Sequence, residues 1–290
     1  MKKGLMRHAL KYSLILLLAS AGCNNDLFID MPEPDDRIVV DGWIEQGQQA
    51  KVMLTANSPY FSVIDSASLR DLVLTRAKVT LSDGNITENL ILRKDRNYFP
   101  PYYYQGNNIV GEAGGSYTLT AEYGGKTAWA ATTIPDPVKI DSTWFSLVKN
   151  EDSLGIIYMS FTDPPGIKNF YRIFTRRIGK DNKYIPTRIM AIDDQYFQGR
   201  RAEFSVYRAQ ETYIEDASDC YYRLGDNVII KLCTMDRENY EFWSSLQAEI
   251  LNANNPFASA VSNLKSNIEG DGLGVWGGYG ISYDTVFAGR

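Results

Sequence analysis

The sequence contains 290 residues with a formal net charge of −5, three cysteines and one histidine. This length suffices for one large or two modest domains. Because the summed field of an acidic chain repels phosphate, we expect no nucleic-acid partner and no electrostatic attraction to an anionic lipid surface.

The N-terminus has the order of a secretory signal. Basic residues come first, at Lys2, Lys3, Arg7 and Lys11. The apolar run Leu14–Ala19 follows, and it is too short to span a bilayer because a membrane helix needs roughly 20 apolar residues. Small residues then lead to Cys23. We therefore predict a lipoprotein signal peptide over residues 1–22 that is cut before Cys23.

Cys23 is the predicted site of lipidation. Acyl chains on this residue would hold the protein at a lipid bilayer, because more than one chain anchors stably. We expect the outer membrane, with the body facing the periplasm or the cell surface. The alternative is an ordinary secreted protein with a free cysteine near its new terminus.

The single histidine, His8, lies within the predicted signal peptide, so the mature chain would contain no imidazole. This excludes histidine-activated nucleophiles and histidine-ligated metals. Glycoside hydrolysis by carboxylates stays open, with Asp181, Asp193-Asp194 and Glu215-Asp216 as candidate acids. Solvated charge is their default interpretation, and we expect no enzyme activity, no cofactor and no metal site.

Residues 23–36 are polar and contain Pro32 and Pro34, a composition that predicts a tether for the lipidated end. From residue 37 to residue 134, short β-like runs alternate with turn residues, which is typical of an immunoglobulin-like β-sandwich. The clearest unit is a hairpin in which Gly124-Gly125 joins two alternating runs, because tight hairpin turns require positive φ.

The densest aromatic cluster lies at residues 98–104 and includes Tyr102, Tyr103 and Tyr104. Rigid rings beside amides give a large contact area at a small cost in entropy, so these three tyrosines are candidate ligand or partner contacts. The alternative is that they pack over one end of the sandwich.

Pro135 and Pro137 interrupt the pattern, because proline donates no ladder hydrogen bond and restricts the residue before it. We predict a domain boundary there, followed by a second antiparallel β-rich domain over residues 138–290. This domain would carry one amphipathic helix near residues 237–251, with Asp236 as its N-cap. The apolar stripe of this helix consists of Phe242, Trp243, Leu246 and Ile250.

Cys220 and Cys233 are candidates for a disulfide, which an extracytoplasmic location permits. If Asp226-Asn227 forms a two-residue turn, counting outward places Cys220 opposite Cys233. The alternative is a pair of buried thiols.

Gly272, Gly274 and Gly277 satisfy the spacing of a dinucleotide fingerprint, but no helix follows them. Close backbone packing or turns are the better explanation.

Several stretches together carry a family resemblance. They are Val39–Ile44, Ser58–Phe61, Tyr240–Trp243, Asn255–Phe257, Ser266–Glu269 and Gly272–Gly277. In this order they resemble the Bacteroidetes outer-membrane lipoprotein family called domain of unknown function 4249, over nearly the whole mature chain. The resemblance implies an association with TonB-dependent receptors and supplies no catalytic residues.

From the anchor, the absent histidine and the resemblance, we expect a non-enzymatic accessory or binding lipoprotein that works with a TonB-dependent receptor in nutrient uptake. Two alternatives stay open: a surface hydrolase of glycans or peptides that uses carboxylates, and a structural lipoprotein of the envelope.

Overall fold

The computed structural model describes residues 36–57, 71–208, 217–252 and 264–289. The predicted signal peptide, Cys23 and all but the last residue of the predicted tether lie outside these ranges. No helix within them is long and apolar enough to cross a membrane.

The fold is mainly β, as predicted, with several antiparallel sheets and a 16-residue helix. The strands before residue 138 are β1 (Ile38–Glu45), β2 (Gln49–Ala56), β3 (Lys78–Ser82), β4 (Thr87–Asn89), β5 (Ile91–Lys94), β6 (Tyr102–Val110), β7 (Ser116–Tyr123) and β8 (Lys126–Thr133). The later strands are β9 (Ile140–Leu147), β10 (Leu154–Thr162), β11 (Phe170–Arg177), β12 (Ile185–Pro186), β13 (Ile192–Asp193), β14 (Arg201–Val206), β15 (Tyr222–Arg223), β16 (Asn227–Met235), β17 (Glu269–Gly270) and β18 (Gly272–Phe287).

The strands form three sheets. The largest has nine strands in the order β12-β11-β16-β18-β1-β2-β6-β5, with β13 also paired to β11. A five-stranded sheet has the order β17-β8-β7-β3-β4. A four-stranded sheet has the order β14-β10-β15, with β9 also paired to β10.

The long strand β18 joins the two halves of the large sheet. Its first part pairs in parallel with β1, from Gly272 opposite Ile38 to Tyr279 opposite Glu45. Its second part pairs antiparallel with β16, from Tyr279 to Phe287. The C-terminal strand therefore lies between an N-terminal strand and a strand of the predicted second domain.

One face of the large sheet is apolar and packs against both smaller sheets. On β1, Ile38, Val40 and Ile44 are buried in a core shared with β3, β7 and β8. The indole of Trp276 on β18 is fully buried in this core and donates a hydrogen bond to the carbonyl oxygen of Tyr117 at 3.0 Å. A second core joins β11 and β16 to β10. Side chains alternate along each strand, so the intervening residues point to the opposite face.

The predicted boundary between residues 134 and 138 does not separate two domains, because the described residues from Asp36 onward form one compact unit. The described residues form three apolar clusters, two against the smaller sheets and one against α1, and all three include strands of the large sheet. The segment containing the two prolines crosses β18 closely. A Cβ atom at Gly278 would lie 2.8 Å from the carbonyl oxygen of Thr133, and one at Gly280 would clash with the carbonyl oxygen of Pro135.

Two local predictions are confirmed, the Gly-Gly hairpin and the capped helix. Strands β7 and β8 form the predicted hairpin, with φ of 60° at Gly124 and 81° at Gly125. The helix α1 spans Arg237–Asn252, and Asp236 caps it by accepting a hydrogen bond from the backbone N–H of Asn239 at 2.9 Å. The predicted apolar stripe is only partly correct, because Phe242 is buried whereas Ile250 is 53% exposed.

The predicted disulfide is wrong, because Cys220 and Cys233 are buried free thiols. Cys220 ends a short 3₁₀ turn at Ala217–Cys220, and the following strand β15 pairs with β10 rather than with β16. Strand β16 instead pairs with β11 and β18, so that Cys233 lies opposite Arg172 and Ile281. The chain therefore does not form the hairpin that would bring the two sulfur atoms together.

Candidate ligand-binding pocket

A pocket with a volume of about 630 Å³ lies on the face of the large sheet opposite the cores that it shares with the two smaller sheets. Its floor consists of alternate side chains from five strands, and α1 contributes Trp243 to its wall. The floor residues include Asp41, Trp43 and Glu45 on β1, Lys51 and Met53 on β2, Arg172, Phe174 and Arg176 on β11, Lys231 on β16, and Tyr279 and Tyr283 on β18.

Aromatic rings line one end of the pocket. The rings of Trp43 and Tyr98 lie 6.2 Å apart at 36°. Asp95 holds the turn that carries Tyr98, because its carboxylate accepts a hydrogen bond from the N–H of Asn97 at 2.9 Å and its carbonyl oxygen accepts one from Tyr98 at 3.3 Å. A tyrosine from outside the sheet is thereby fixed above the floor.

The β11–β12 hairpin builds the other end. Asp181 accepts hydrogen bonds from both the backbone and the guanidinium of Arg177, each at 2.7 Å, and this fixes the turn. The hairpin carries Tyr184 over the sheet, where its ring lies 4.9 Å from the guanidinium of Arg176 and 5.8 Å from the ring of Tyr283.

Arg172 is held between two aromatic rings. Its guanidinium lies 3.4 Å from the ring of Trp243 and 4.9 Å from that of Phe174, and it donates a hydrogen bond to the hydroxyl of Tyr279 at 3.4 Å. The side chain is 5% exposed, and its Nε has no hydrogen-bond partner within the described ranges. Stacking therefore fixes this cation in place.

Burial raises the pKa of the Asp41 carboxyl, and the positive charge of Arg172 opposes that shift without cancelling it. A buried carboxylate costs free energy because it loses its hydration.

Lys231 and Glu45 form a buried ion pair at 2.6 Å. The ammonium also lies 4.6 Å from the ring of Phe174 and 4.8 Å from that of Tyr184. Burial alone would lower the pKa of Lys231, but the neighbouring Cys233 sulfur and the Glu45 carboxylate outweigh it and raise that pKa. Lys231 is therefore a fixed cation at the centre of the sheet.

The lining contains five cationic and three anionic side chains, although the whole chain carries a net charge of −5. The cations are Lys51, Arg172, Arg176, Lys183 and Lys231, and the anions are Asp41, Glu45 and Asp95. Lys51 lies 5.5 Å from the ring of Tyr98 and 5.3 Å from that of Tyr103. The pocket is thus a locally positive, aromatic concavity on an acidic protein.

The three tyrosines predicted as contacts do not form an exposed loop, because they lie at the start of β6. Tyr104 is 4% exposed; its hydroxyl donates to the carbonyl oxygen of Leu74 at 2.6 Å and accepts from the N–H of Ala77 at 2.9 Å. Tyr104 is therefore a core residue, and its prediction as a contact is wrong.

The other two tyrosines differ from Tyr104. Tyr103 is 8% exposed, and its ring lies 5.3 Å from that of Tyr98. Because Tyr103 is buried and is not among the residues that line the pocket, its prediction as a contact is also wrong. Tyr102 is partly exposed and outside the pocket lining, with Lys94 over its ring at 5.6 Å. Its role as a contact stays a prediction.

The candidate acids of a hydrolase do not converge. Asp181 pairs with Arg177, and Lys168 pairs with both Asp193 at 3.1 Å and Asp194 at 2.7 Å. Glu215-Asp216 lies outside the described residues. These observed pairs fix turns and loops at separate places in the fold.

Sequence reasoning missed most of the pocket residues, because they come from five strands spread along the chain. One signal was present. Charged residues recur at alternate positions within otherwise apolar strands, as with Lys231 between Ile230 and Leu232. A charge inside a buried strand indicates a partner or a site on that face.

The family model described as "Domain of unknown function (DUF4249)" matches residues 24–284. Among curated proteins, none matches the chain significantly.

Proposed function

The chain belongs to the DUF4249 family, and from this premise we propose that it is a non-enzymatic, lipid-anchored binding protein of the outer membrane. In this proposal it holds a small ligand in the pocket above the large sheet and works beside a TonB-dependent receptor in nutrient uptake.

The pocket is the observation that carries the proposal. Ligand sites for small molecules typically enclose about 300–1,000 Å³ and combine apolar or aromatic walls with a few fixed polar groups. The volume of about 630 Å³ lies within that range. Trp43, Tyr98 and Tyr184 supply walls, whereas Arg172 and Lys231 are polar groups that their neighbours already hold in place.

The carboxylates of the pocket favour binding over hydrolysis. Asp41 and Glu45 lie four residues apart on one strand, so their backbones are separated by about 13 Å. Both side chains would have to lean toward each other along the strand to reach the carboxyl separation of glycosidases, about 5–9.5 Å. Glu45 is also engaged by Lys231 at 2.6 Å. This pair is therefore poorly arranged for a general acid and a nucleophile.

The predicted lipidation of Cys23 is the basis for the membrane part of the proposal. The family match begins at residue 24, directly after Cys23. A lipid tether at that position would confine the pocket to the membrane surface, where even a weak contact with a receptor gains effective concentration.

Native mass spectrometry of the tagged full-length protein, extracted in detergent, tests the proposal. We expect a retained small molecule that is lost in Trp43→Ala and kept in Trp129→Ala, which removes a 42% exposed indole on the other side of the molecule. Co-purification of a TonB-dependent receptor would support the accessory role. Turnover of a glycan or peptide that Asp41→Asn abolishes would instead establish the hydrolase.

A further inference from the structure

The pocket has an uneven distribution of charge. Lys231 is neutralised by Glu45 at 2.6 Å, and Arg172 faces the charge of Asp41. Arg176 stacks on Tyr184 but makes no salt bridge with any described residue, and its Nε is buried without a hydrogen-bond partner there. A partly buried guanidinium without a counter-charge is costly, and a ligand carboxylate would relieve that cost.

Arg176 and Lys51, neither of which makes a salt bridge with a described carboxylate, lie at opposite ends of the pocket. Arg176 is on β11 and Lys51 is on β2, with β16, β18 and β1 between them. Four inter-strand steps, about 19 Å at the usual strand spacing, separate the two strands. The register adds an offset of about 26 Å along the sheet, because Arg176 aligns through Ile229 with Thr285 whereas Lys51 aligns through Trp43 with Gly277. Even with both side chains reaching inward, a single small acid is therefore too short to contact both cations.

The remaining lining suits a hydroxylated ring. Trp43 and Tyr98 offer ring faces at the Lys51 end. The exposed side chains of Gln48, Asn97 and Asn182 add amide groups to the lining of the pocket. Amides that donate and accept, placed beside flat rings, match sugar hydroxyl groups and the apolar face of a pyranose.

We infer that the pocket binds a short acidic oligosaccharide, with a uronate carboxylate on the fork of Arg176 and a sugar ring on Trp43 and Tyr98. The guanidinium fork matches a carboxylate with two parallel hydrogen bonds. This inference rests on the proposed binding function and adds the ligand class. A neutral sugar or a small aromatic acid would satisfy only one of the two features of the site.

Calorimetry on the full-length protein in detergent tests the inference with trigalacturonate as the acidic probe. Its fully methyl-esterified form keeps the rings and removes the charge, maltotriose is a neutral sugar, and ferulate is an aromatic acid. We expect trigalacturonate to bind about tenfold or more tightly than the ester. Its affinity should also fall as salt concentration rises.

The variant Arg176→Gln should weaken trigalacturonate binding about tenfold or more and leave binding of the ester unchanged. Arg201→Gln on β14, an exposed arginine paired with Glu203, is the matched control and should change neither affinity. If Arg176→Gln fails to fold, Lys51→Met removes the cation at the other end and should act in the same direction.

Equal binding of acid and ester, preference for maltotriose or ferulate, or no binding of trigalacturonate would each overturn the inference. The proposed binding function is judged separately by the endogenous ligand and by the Trp43→Ala variant. A retained neutral ligand would therefore keep the binding function and reject the acidic class.

Discussion

The ammonium of Lys231 lies 2.6 Å from a carboxylate oxygen of Glu45, although 186 residues separate them in the chain. Both side chains are largely buried, at 5% and 14% exposure. Removing one partner leaves an uncompensated charge in the sheet, so Lys231→Met or Glu45→Gln should lower the free energy of unfolding by about 3–5 kcal/mol. The double variant should lose less unfolding free energy than either single variant. Urea denaturation measures these differences.

The exposed pair of Lys78 and Glu122, at 2.7 Å, is the control for these variants of the buried pair. With 61% and 46% of these side chains exposed, breaking the pair should change stability by only about 0–1 kcal/mol. Equal losses for the two pairs would show that Lys231 and Glu45 are solvated in solution.

Asp41→Asn should stabilise the protein at neutral pH. Burial raises the folded-state pKa of Asp41 above 3.8, so the native state bears a cost whenever this carboxyl is ionised. That cost is present above the folded pKa and disappears as pH falls through it toward the unfolded value. The gain from Asp41→Asn should therefore be largest at pH 7 and shrink on acidification, measured as free energies of unfolding across pH. A gain that is independent of pH would contradict this assignment.

Gly277→Ala should loosen the contact between β18 and α1. A Cβ atom there would clash with the side-chain amide of Asn239, so we expect a loss of about 1–3 kcal/mol in unfolding free energy. In an Asn239→Ala background the same substitution should cost much less, because the clashing amide is gone. Additive losses in this double-mutant cycle would show that the strain in Gly277→Ala does not come from the contact with Asn239.

Tyr104→Ala should destabilise the fold by about 3–5 kcal/mol, because it opens a cavity in the core of the N-terminal half. Tyr104→Phe keeps the ring but leaves the carbonyl of Leu74 and the N–H of Ala77 without their partner, which should cost about 1–3 kcal/mol. The partly exposed Tyr102 is the comparison, and Tyr102→Ala should shift the thermal midpoint least. Similar thermal midpoints for all three variants would show that Tyr104 is not a core residue.

Adding a reducing agent should not change the intact mass of the folded protein, because Cys220 and Cys233 are free thiols. Burial raises the pKa of the Cys233 thiol to about 12, so very little reactive thiolate exists near pH 7. We expect neither buried cysteine to be alkylated until denaturant is added, after which both should react. If the mass rises by two hydrogens on reduction, the two cysteines form a disulfide in solution.

The parts of the fold that depend on near neighbours could be predicted from the sequence. The β7–β8 hairpin follows from Gly124-Gly125 between alternating runs, and α1 follows from Asp236 and Phe242. The pairing of β1 with β18 could not be predicted, because no local pattern specifies which distant strand is the neighbour.

The glycines of β18 also obscured its nature as a strand. They suggested turns or close packing, and close packing is the correct explanation for Gly277, Gly278 and Gly280, since α1 and the proline segment approach the strand there. The pocket could not be predicted for the same reason, because no local pattern specifies which strands become neighbours in the large sheet. Arg176 and Lys51 become parts of one site only when β11 and β2 take their places in one sheet.

Strand β1 is synthesised early, but its partner β18 is among the last segments to be synthesised. Folding of the large sheet must therefore wait for the end of the chain. The N-terminal half can form its β7–β8 hairpin early, but the edge of β1 stays open until residues 272–279 are available. An open strand edge is a template for wrong pairing with other chains. A chain truncated before β18 should therefore aggregate rather than survive as a folded N-terminal fragment, and the complete chain should unfold in a single cooperative transition.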